Sequence, residues 1–326
     1  MDIVTGATGL LGNVLVRELS LKGRRVKAFV RTTSQIACFK DCNIDYAYGD
    51  VLDYDSLVAA FKDAEHVYHL ASEVSIMPGS NRKLREINLK GTANVIRACF
   101  ECGVKKLIYT SSIHAFTEMD DRPVIDETLS FDPSSSMGLY NRTKAEASLY
   151  VTEAAGKGLD AVIVCPTAVI GPYDFRISNL GSLFIDYCNR RQKIIIDGAY
   201  DFVDVRDVAK GHILAAEKGG PGQAYILSGH RLTIGELMKN LEEITGIPAP
   251  RLKFPYWLAM AVAFVSPMYY KLSGSKPVLT VYSLKTVKKN SYISHQKASL
   301  QLGYDPRPIR ETLEENISWF KDNDYL

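Results

Sequence analysis

A glycine-rich turn close to the N-terminus constrains the fold more than any other feature of the chain. The run from Thr5 to Gly12 reads TGATGLLG and lies between a short apolar strand candidate and a helical pattern. Gly6 allows a tight turn, Gly9 lets the main chain approach a pyrophosphate, and Gly12 lets a helix pack against a sheet. The pyrophosphate then meets the positive end of that helix. Because strand and helix flank the glycines, the pattern predicts a dinucleotide-binding unit rather than a simple turn.

The first half of the chain alternates short apolar runs with helical periodicity. The strand candidates are Ile3–Thr5, Arg25–Val30, Ile44–Tyr48, Val67–Leu70, Lys106–Thr110 and Ala161–Cys165. The helix candidates are Leu11–Lys22, Ser56–Lys62, Lys83–Cys102 and Tyr140–Lys157. Short apolar strands joined by helical crossovers indicate a parallel sheet that is covered on both faces. The predicted fold is therefore α/β, a Rossmann-type doubly wound parallel sheet.

A chain of 326 residues is too long for one small core, and the alternation loosens after about residue 170. We expect a dinucleotide-binding domain over residues 1–170, with a returning segment at about 200–230, and a smaller substrate-binding lobe over 171–199 and 231–326. Further elements are expected at Tyr225–Leu227 (strand), Thr233–Gly246 (helix with a threonine cap) and Glu311–Lys321 (final helix).

The ends of the second and third strands bear on which dinucleotide is bound. An NAD-preferring site usually places an acidic residue after the second strand, but this chain has Arg31 followed by three hydroxyl residues. A 2′-phosphate needs a cation and hydrogen-bond donors, so NADP(H) is favoured over NAD(H). After the third strand, Asp50 is suited to accept from the adenine amino group, and equally to act as a turn or cap residue before Asp53.

Tyr140 and Lys144 are candidates for proton transfer. They stand four residues apart, so on a helix they share one face. A phenol titrates near 10, and a neighbouring cation lowers that pKa by roughly 1–3 units. Two serines end the fifth strand, at the edge of the sheet where ligands bind. Ser112 is suited to donate to the oxygen that Tyr140 protonates, and Ser111 is its competitor because side chains alternate along a strand.

Together these residues resemble the extended short-chain dehydrogenase/reductase family, also known as the NAD-dependent epimerase/dehydratase family. Within it, the chain looks most like the dihydroflavonol-4-reductase-like and 3β-hydroxysteroid-dehydrogenase-like branch. Phe116 and Thr117 depart from the Tyr-Gly that epimerases commonly have there. The segments that carry the resemblance are Thr5–Gly12, Asp50, His69–Ala71, Asn88–Thr92, Ser112, Tyr140, Lys144, Cys165–Pro172, Phe202–Ala209 and Leu302–Pro308.

The resemblance implies a catalytic triad of Ser112, Tyr140 and Lys144, with no metal. Tyr140 would protonate the forming alkoxide, Ser112 would donate a hydrogen bond to it, and Lys144 would also hold the nicotinamide ribose. The cofactor-binding residues that we expect are Gly6, Thr8, Gly9, Leu10, Leu11, Gly12, Arg31, Asp50, Val51, Leu70, Ala71, Ser72, Asn88, Thr110, Tyr140, Lys144, Pro166, Thr167 and Val169.

Charge and cysteine usage limit the partners and the compartment. The 39 basic and 37 acidic residues contain no long run of one sign, which argues against a nucleic-acid surface. Six cysteines with no secretory segment ahead of them indicate reduced thiols, and the chain opens directly on a strand candidate, so we expect a cytoplasmic protein. The expected partner is a small-molecule substrate. The resemblance adds a homodimer through the helices that contain Asn88 and Tyr140.

Two local patterns are interpreted as structural. Cys99 and Cys102 form a Cys-x-x-Cys at the end of a helix, where the dipole opposes a thiolate, so we expect inert thiols. Nine apolar residues run from Trp257 to Val265, and prolines at 255 and 267 bound them. This run is shorter than the roughly 20 residues of a membrane span. It predicts a buried helix or a pocket wall, rather than a membrane contact.

Three functions remain in competition at this point. The first is an NADP(H)-dependent oxidoreductase that reduces a ketone, or oxidises the alcohol, of a small apolar substrate. The second is a nucleotide-sugar epimerase or dehydratase. The third is an NADP-binding sensor without chemistry, which the presence of both Tyr140 and Lys144 disfavours.

Overall fold

The computed structural model describes residues 1–75, 81–117, 124–273, 280–289 and 291–326. Its strands are β1 Asp2–Thr5, β2 Val26–Val30, β3 Asp45–Tyr48, β4 His66–His69, β5 Lys106–Thr110, β6 Ala161–Pro166, β7 Ala168–Ile170, β8 Ile194–Ile195, β9 Ala199–Asp204, β10 Ala224–Leu227, β11 His230–Thr233 and β12 Leu252–Lys253. Its α-helices are α1 Leu10–Leu21, α2 Tyr54–Phe61, α3 Arg82–Arg85, α4 Thr92–Glu101, α5 Leu139–Gly156, α6 Asn179–Cys188, α7 Val205–Lys218, α8 Ile234–Thr245, α9 Tyr256–Ser273, α10 Val281–Lys288, α11 Gln296–Leu302 and α12 Ile309–Asp322.

Among the described residues, seven parallel strands form the central sheet, in the order β10-β6-β5-β4-β1-β2-β3. The chain builds β1, β2 and β3 outward in one direction, then returns to add β4, β5 and β6 on the other side of β1. This reversal opens a crevice beyond the carboxyl ends of β1 and β4, which is where doubly wound sheets bind ligands. The predicted fold class is confirmed.

The middle residues of the central strands are apolar because both faces of the sheet are covered. Successive side chains of a strand point to opposite faces. In β1, Val4 joins the apolar cluster under α1 and α7, whereas Ile3 joins the cluster under α2, α4 and α5. Ile108 and Leu107 in β5 divide in the same way, and all four side chains are fully buried. A strand buried on both faces cannot show the polar alternation of a half-exposed strand.

A second group of elements packs beside the carboxyl edge of the central sheet. It contains the three-stranded sheet β11-β9-β7, the pair β12-β8, and α6, α8 and α12. Phe184, Leu237 and Phe320 are fully buried in its own apolar cluster. A smaller cluster, around Ala259 and Leu284, joins α9 to α10.

Two predicted elements differ in their detail. The helix predicted over Lys83–Cys102 is observed as α3 and α4 joined by a π-helical segment, Glu86–Gly91. The apolar run from Trp257 to Val265 forms only part of a longer helix, since α9 extends from Tyr256 to Ser273. A proline inside a helix removes one main-chain donor but does not always end the helix. No helix in the described ranges has the length and apolarity to cross a membrane.

A buried ion pair joins α7 to the segment before α12. The Arg307 guanidinium donates to both carboxylate oxygens of Asp207, at 3.0 and 2.9 Å, and the Arg307 main-chain N–H donates to the same carboxylate at 2.8 Å. The Asp207 side chain is 4% exposed, and that of Arg307 is 13% exposed. Removing one partner of such a pair leaves an uncompensated charge out of water.

We predict that Asp207→Ala lowers the free energy of unfolding by about 3 kcal/mol, because Arg307 loses its buried hydrogen-bonded carboxylate and keeps only the longer contacts with Asp204 and Glu311. Urea denaturation measures this loss. Arg310→Ala is the matched control, since Arg310 is half-exposed and pairs with Glu243 and Glu314 at the surface. It should cost much less than Asp207→Ala, because water screens an exposed ion pair. Equal losses in the two variants would contradict the buried-pair assignment.

Candidate active site

The glycine-rich turn is packed so closely that its main chain forms one wall of the crevice. Gly6 has a φ of +67°, and a side chain there would meet the main-chain nitrogen of Ala71 at 2.6 Å. A side chain at Gly12 would overlap the carbonyl oxygen of Gly6, so this glycine lets α1 approach the turn. At Gly9, by contrast, an added Cβ would meet only the Gly6 oxygen, at 3.4 Å. Gly9 thus borders open space.

The first turn of α1 presents free main-chain donors to this space. Gly9 is the N-cap residue, and no side chain caps the helix in the described structure. The first turn also contains no acidic residue that would repel an anion. Leu10 and Leu11 supply its first N–H groups. Helix N-termini of this kind bind phosphates, so the residues present fit a pyrophosphate.

The crevice continues from this turn toward the ends of β2, β3 and β4. Of the residues predicted to bind a cofactor, those on its walls are Gly6, Thr8, Gly9, Arg31, Asp50, Val51, Leu70, Ala71 and Ser72. Wall residues that the sequence analysis missed include Phe29, Glu73, Ile87 and Arg176, whereas Ser34 is one of the three hydroxyl residues noted after Arg31. Arg176 follows β7 and reaches the crevice from a part of the chain where no local pattern could have indicated it. It places a second guanidinium beside the same cleft as Arg31.

Asp50 performs the turn role that the sequence left open. Its Oδ1 accepts a hydrogen bond from the main-chain N–H of Leu52 at 2.9 Å. The cap of α2 is Asp53, whose side chain accepts from the N–H of Ser56. Asp50 also lines the crevice, so the turn holds its carboxylate at the position where an adenine contact is predicted.

Ser112 and Ser111 point to different sides of the end of β5. The Ser112 side chain lies beside that of Tyr140, which is in the first turn of α5, and the Ser112 Oγ accepts from the N–H of His114 at 3.2 Å. The hydroxyl of Ser111 instead shares a hydrogen bond with that of Ser148 at 2.7 Å, inside the core. The structure therefore brings Ser112, and not Ser111, to the phenol.

Lys144 enters the same site from one helical turn further along α5. Its Nζ donates to the main-chain carbonyl of Thr110 at 2.7 Å and lies 5.1 Å from the centre of the Tyr109 ring. The residue is only 3% exposed, and no carboxylate in the described residues forms an ion pair with it. Burial lowers the pKa of Lys144 to about 7. The ammonium is thus held by a carbonyl dipole and an aromatic face rather than by a counter-ion.

The pKa of Tyr140 moves opposite to the prediction from the sequence. Burial raises it to about 12, and the hydrogen bond with Ser112 only partly offsets this effect. The prediction that Lys144 lowers the pKa of Tyr140 is therefore wrong for the protein without a ligand. Burial makes the charged phenolate unfavourable, and this effect outweighs the influence of the Lys144 cation, which is itself removed from water. The phenol consequently keeps its proton at neutral pH.

Several residues predicted to bind the cofactor have side chains that are engaged by the protein itself. Asn88 accepts from the Ser72 hydroxyl and donates to the Thr143 hydroxyl, both at 3.1 Å. The hydroxyl of Thr167 donates to Asp201 at 2.7 Å. The hydroxyl of Thr110 bonds to His212 at 2.8 Å, which leaves the Thr110 carbonyl for Lys144.

These three side chains are held in place by protein partners, and their predicted contacts with a cofactor stay predictions. Asn88 ties the π-helical segment to α5 and to the loop after β4. Pro166 ends β6 and Val169 lies in β7, and neither is among the wall residues of the crevice described above. Their predicted contacts with a cofactor stay predictions.

A polar group from α10 lies beside the phenol. The hydroxyl of Tyr282 donates to Oδ1 of Asn141 at 2.9 Å, next to Tyr140 in sequence. The rings of Tyr282 and His114 are 6.3 Å apart and nearly perpendicular. Sequence reasoning missed this cluster, because 141 positions separate Asn141 from Tyr282.

A parallel doubly wound sheet, a phosphate-binding turn and a buried serine–tyrosine–lysine arrangement together define a nicotinamide-dinucleotide enzyme. Residues 3–228 match the NAD-dependent epimerase/dehydratase family. The chain is 34% identical to sterol demethylase protein B of Methylococcus capsulatus, over 98% of each chain. It is 30% identical to a Synechocystis protein named for dihydroflavonol 4-reductase, over 99% of this chain and 95% of that one.

Solved structures agree with this assignment. The crystal structure of gox2253 superposes with a TM-score of 0.88 at 32% identity, over 100% of this chain and 99% of the other. A UDP-glucose 4-epimerase from Thermotoga maritima has a TM-score of 0.79 at 22% identity, over 99% of each chain, which shows a common fold. The chain belongs to the NAD-dependent epimerase/dehydratase family, the extended short-chain dehydrogenase/reductases, as the resemblance had indicated. It is an enzyme of that family, whose cofactor is a nicotinamide dinucleotide.

The lowered pKa of Lys144 predicts how stability depends on pH. Between the folded value of about 7 and the unfolded value of 10.5, the unfolded chain binds a proton that the folded chain does not. Stability therefore rises with pH across this window. We predict that wild type gains stability relative to Lys144→Met between about pH 6 and about pH 9, in urea denaturation without cofactor.

Lys157→Met is the control, because Lys157 follows α5 and is well exposed. Its stability relative to wild type should stay nearly constant over the same pH range. If the Lys144→Met difference were equally constant, the lysine would not be desolvated as the structure indicates.

Proposed function

We propose that this protein is an NADP(H)-dependent oxidoreductase that reduces a ketone carbonyl, or oxidises the corresponding alcohol, of a small apolar substrate. The observation that carries the proposal is the convergence of Ser112, Tyr140 and Lys144 at the carboxyl ends of the sheet, beside the glycine-lined crevice. The phenol and the serine hydroxyl are both positioned to contact one oxygen atom. That arrangement suits an atom that changes between carbonyl and hydroxyl.

Each side chain has a distinct part in the reduction. A bound nicotinamide supplies the hydride. Tyr140 gives its proton to the substrate oxygen as that oxygen gains negative charge, which is general acid catalysis. Ser112 donates a hydrogen bond to the same oxygen and stabilises its charge in the transition state. Lys144, fixed by the Thr110 carbonyl one helical turn beyond Tyr140, would hold the nicotinamide ribose and supply a positive charge to the site.

The pKa values support the direction of reduction. With a pKa of about 12, Tyr140 is protonated at neutral pH and so is ready to act as an acid. Oxidation would require the phenolate, which burial disfavours. Because the alkoxide is a stronger base than the phenolate, the proton moves downhill from Tyr140 once the oxygen is charged.

Two guanidinium groups support a preference for NADP(H). Arg31 follows β2, where the adenosine ribose lies in dinucleotide-binding folds, and Arg176 lines the same crevice. Both side chains are exposed, so they can reach a phosphate without first giving up another partner. Arginine binds phosphate through two parallel hydrogen bonds, which suits a 2′-phosphate.

The residues on the substrate side of the site support the proposal of an apolar ketone that also carries one polar group. The rings of Phe116 and Phe131 stack with their centres 4.9 Å apart, and Phe116 occupies the first of the two positions where epimerases of this family commonly carry Tyr-Gly. The cluster of His114, Asn141 and Tyr282 supplies the polar groups. The similarity to sterol demethylase protein B is consistent with a substrate of sterol-like shape.

We also propose a homodimer through α4 and α5. Each helix presents a large apolar side chain to solvent, namely Phe100 at 45% exposure and Leu149 at 41%. A two-fold interface between such helices would bury both side chains in each protomer.

We predict that Tyr140→Phe lowers turnover of an accepted ketone by about 10²- to 10⁴-fold, because the proton donor is lost. The purified protein is assayed for NADPH and NADH oxidation with flavanonols, ketosteroids, simple ketones and aldehydes. Cofactor affinity, measured by fluorescence titration, should change little. Tyr150→Phe is the matched control, since Tyr150 lies on the same helix and bonds to Glu146 away from the site.

Retained turnover in Tyr140→Phe would refute the catalytic assignment. If the wild type binds NADPH tightly yet reduces nothing in the panel, sugar nucleotides are tested next. Conversion of sugar nucleotides would establish the epimerase or dehydratase alternative. If the protein converts none of them either, the sensor alternative is favoured.

We predict that Arg31→Ala weakens NADPH binding by about tenfold or more while NADH binding changes little, because only NADPH carries the 2′-phosphate. Isothermal titration with both cofactors measures the two affinities. Arg25→Ala is the control, since Arg25 is 77% exposed and pairs with Asp45 at the far end of its strand. Equal losses for both cofactors would show that Arg31 does not select NADP(H).

A further inference from the structure

One part of the chain departs from its balanced overall charge. Residues 244–304 contain eight lysines and arginines but no aspartate or glutamate. The complete chain has a net charge of only +2, so the remaining residues carry six more acidic than basic side chains. The acid-free segment contains the helices α9, α10 and α11. Seven of its eight basic residues fall at positions 251–289, so the positive charge is concentrated in the part of the sequence that forms α9 and α10.

Within this segment, α9 turns its small side chains inward and its large ones outward. Ala259, Ala263 and Ser266 lie on one face and are buried. Trp257, Phe264 and Val265 lie on the opposite face and are 72%, 80% and 65% exposed. Positions 257, 261, 264 and 265 form a continuous stripe at helical spacing. A soluble helix normally shows the reverse arrangement, with its large apolar residues against the core.

Basic side chains surround the beginning of this stripe. Arg251 and Lys253 are exposed just before α9, although Lys253 also pairs with Asp197 at 3.0 Å. On the adjoining α10, Lys285 and Lys288 are exposed, and the Nζ of Lys288 lies 5.3 Å from the centre of the Tyr256 ring. The surface therefore combines exposed aromatic and aliphatic groups with cations at their edge. We call it the α9 face.

We propose that the α9 face binds the surface of an anionic lipid bilayer, with α9 lying in the plane of the interface. Helices that do this carry Trp, Phe and Leu on the inserted side and Lys or Arg beside it. Juxtaposed cations add attraction to negatively charged headgroups. A second copy of this chain would instead bring equal positive charges together, which disfavours self-association through the same face. The absence of acidic side chains from the whole segment matches the sign of the proposed partner.

The same helices connect this face to the active site. The apolar contacts around Ala259, Ala263 and Leu284 join α9 to α10, and Tyr282 of α10 donates to Asn141 beside Tyr140. Docking at the α9 face would thus hold the substrate side of the site close to the bilayer. An apolar substrate dissolved in lipid would reach the site without crossing water.

Vesicle flotation with the full-length protein tests the proposal and needs no substrate. We expect binding to vesicles that contain phosphatidylglycerol, and much weaker binding to pure phosphatidylcholine. The double variant Trp257→Gln/Phe264→Gln should bind at least about tenfold more weakly, because two large apolar side chains no longer insert. Lys285→Gln/Lys288→Gln should lose the preference for phosphatidylglycerol, and high salt should do the same to wild type.

Leu21→Gln is the matched control, since Leu21 is 83% exposed on α1, far from the acid-free segment in sequence. It should bind vesicles as wild type does. All variants change exposed side chains, so their thermal unfolding should remain close to that of wild type.

Tryptophan fluorescence gives a second, spectroscopic measurement. The chain has two tryptophans, and Trp319 is buried at 9% exposure, so an environmental change reports mainly on Trp257. We expect a blue shift on addition of phosphatidylglycerol vesicles, and none in Trp257→Phe. The absence of both flotation and blue shift would overturn the proposal. So would a wild-type oligomer that Trp257→Gln/Phe264→Gln dissociates while vesicle binding persists, because the face would then be covered by a second copy.

Discussion

The hydrogen bond from Lys144 to the Thr110 carbonyl joins the two halves of the catalytic arrangement. It fixes α5, which carries the phenol, against the carboxyl end of β5, which carries the serine. The carbonyl is available because His212 engages the Thr110 side chain from the opposite face of the sheet. A buried ammonium without a counter-ion destabilises a fold, so a core residue such as methionine would be the more stable choice. Such a group persists where function requires it.

Burial acts on the two ionisable groups of the site in opposite directions on the pKa scale. It raises the pKa of Tyr140 to about 12 and lowers that of Lys144 to about 7, because in both cases it favours the neutral form. In the enclosed site, the phenol of Tyr140 therefore keeps its proton, whereas the ammonium of Lys144 loses its proton more easily than a lysine in water. A bound anion or an oxygen that gains charge reverses this balance. The site is electrostatically complementary to the reacting state more than to its empty form.

The second group of elements contributes more than a cover for the substrate. Arg176 extends from it to the dinucleotide crevice, and Tyr282 extends from it to the catalytic helix. The helix pair α9 and α10 connects this polar contact to an exposed apolar surface with basic edges. Under the proposals made above, the position of a substrate, the binding of the cofactor and the attachment to a lipid surface would all depend on the loop that contains Arg176 and on the helices α9 and α10. Reading the apolar run as a buried helix or pocket wall was half right, because only its small side chains are buried.

The sequence by itself determined the sheet, the glycine-rich turn and the identity of the candidate triad. These features follow from local rules. The periodicity of apolar residues indicates the strands and helices, the small size of glycine permits the tight turn, and the four-residue spacing of Tyr140 and Lys144 places both on one face of a helix. The choice of Ser112 over Ser111, the raised pKa of Tyr140 and the engagement of Asn88 by its neighbours were decided only by tertiary structure. Each depends on burial or on a partner distant in sequence, and desolvation in particular has no local signature. The outward face of α9 has the same origin, since periodicity identifies an apolar helix but only packing decides which side meets water.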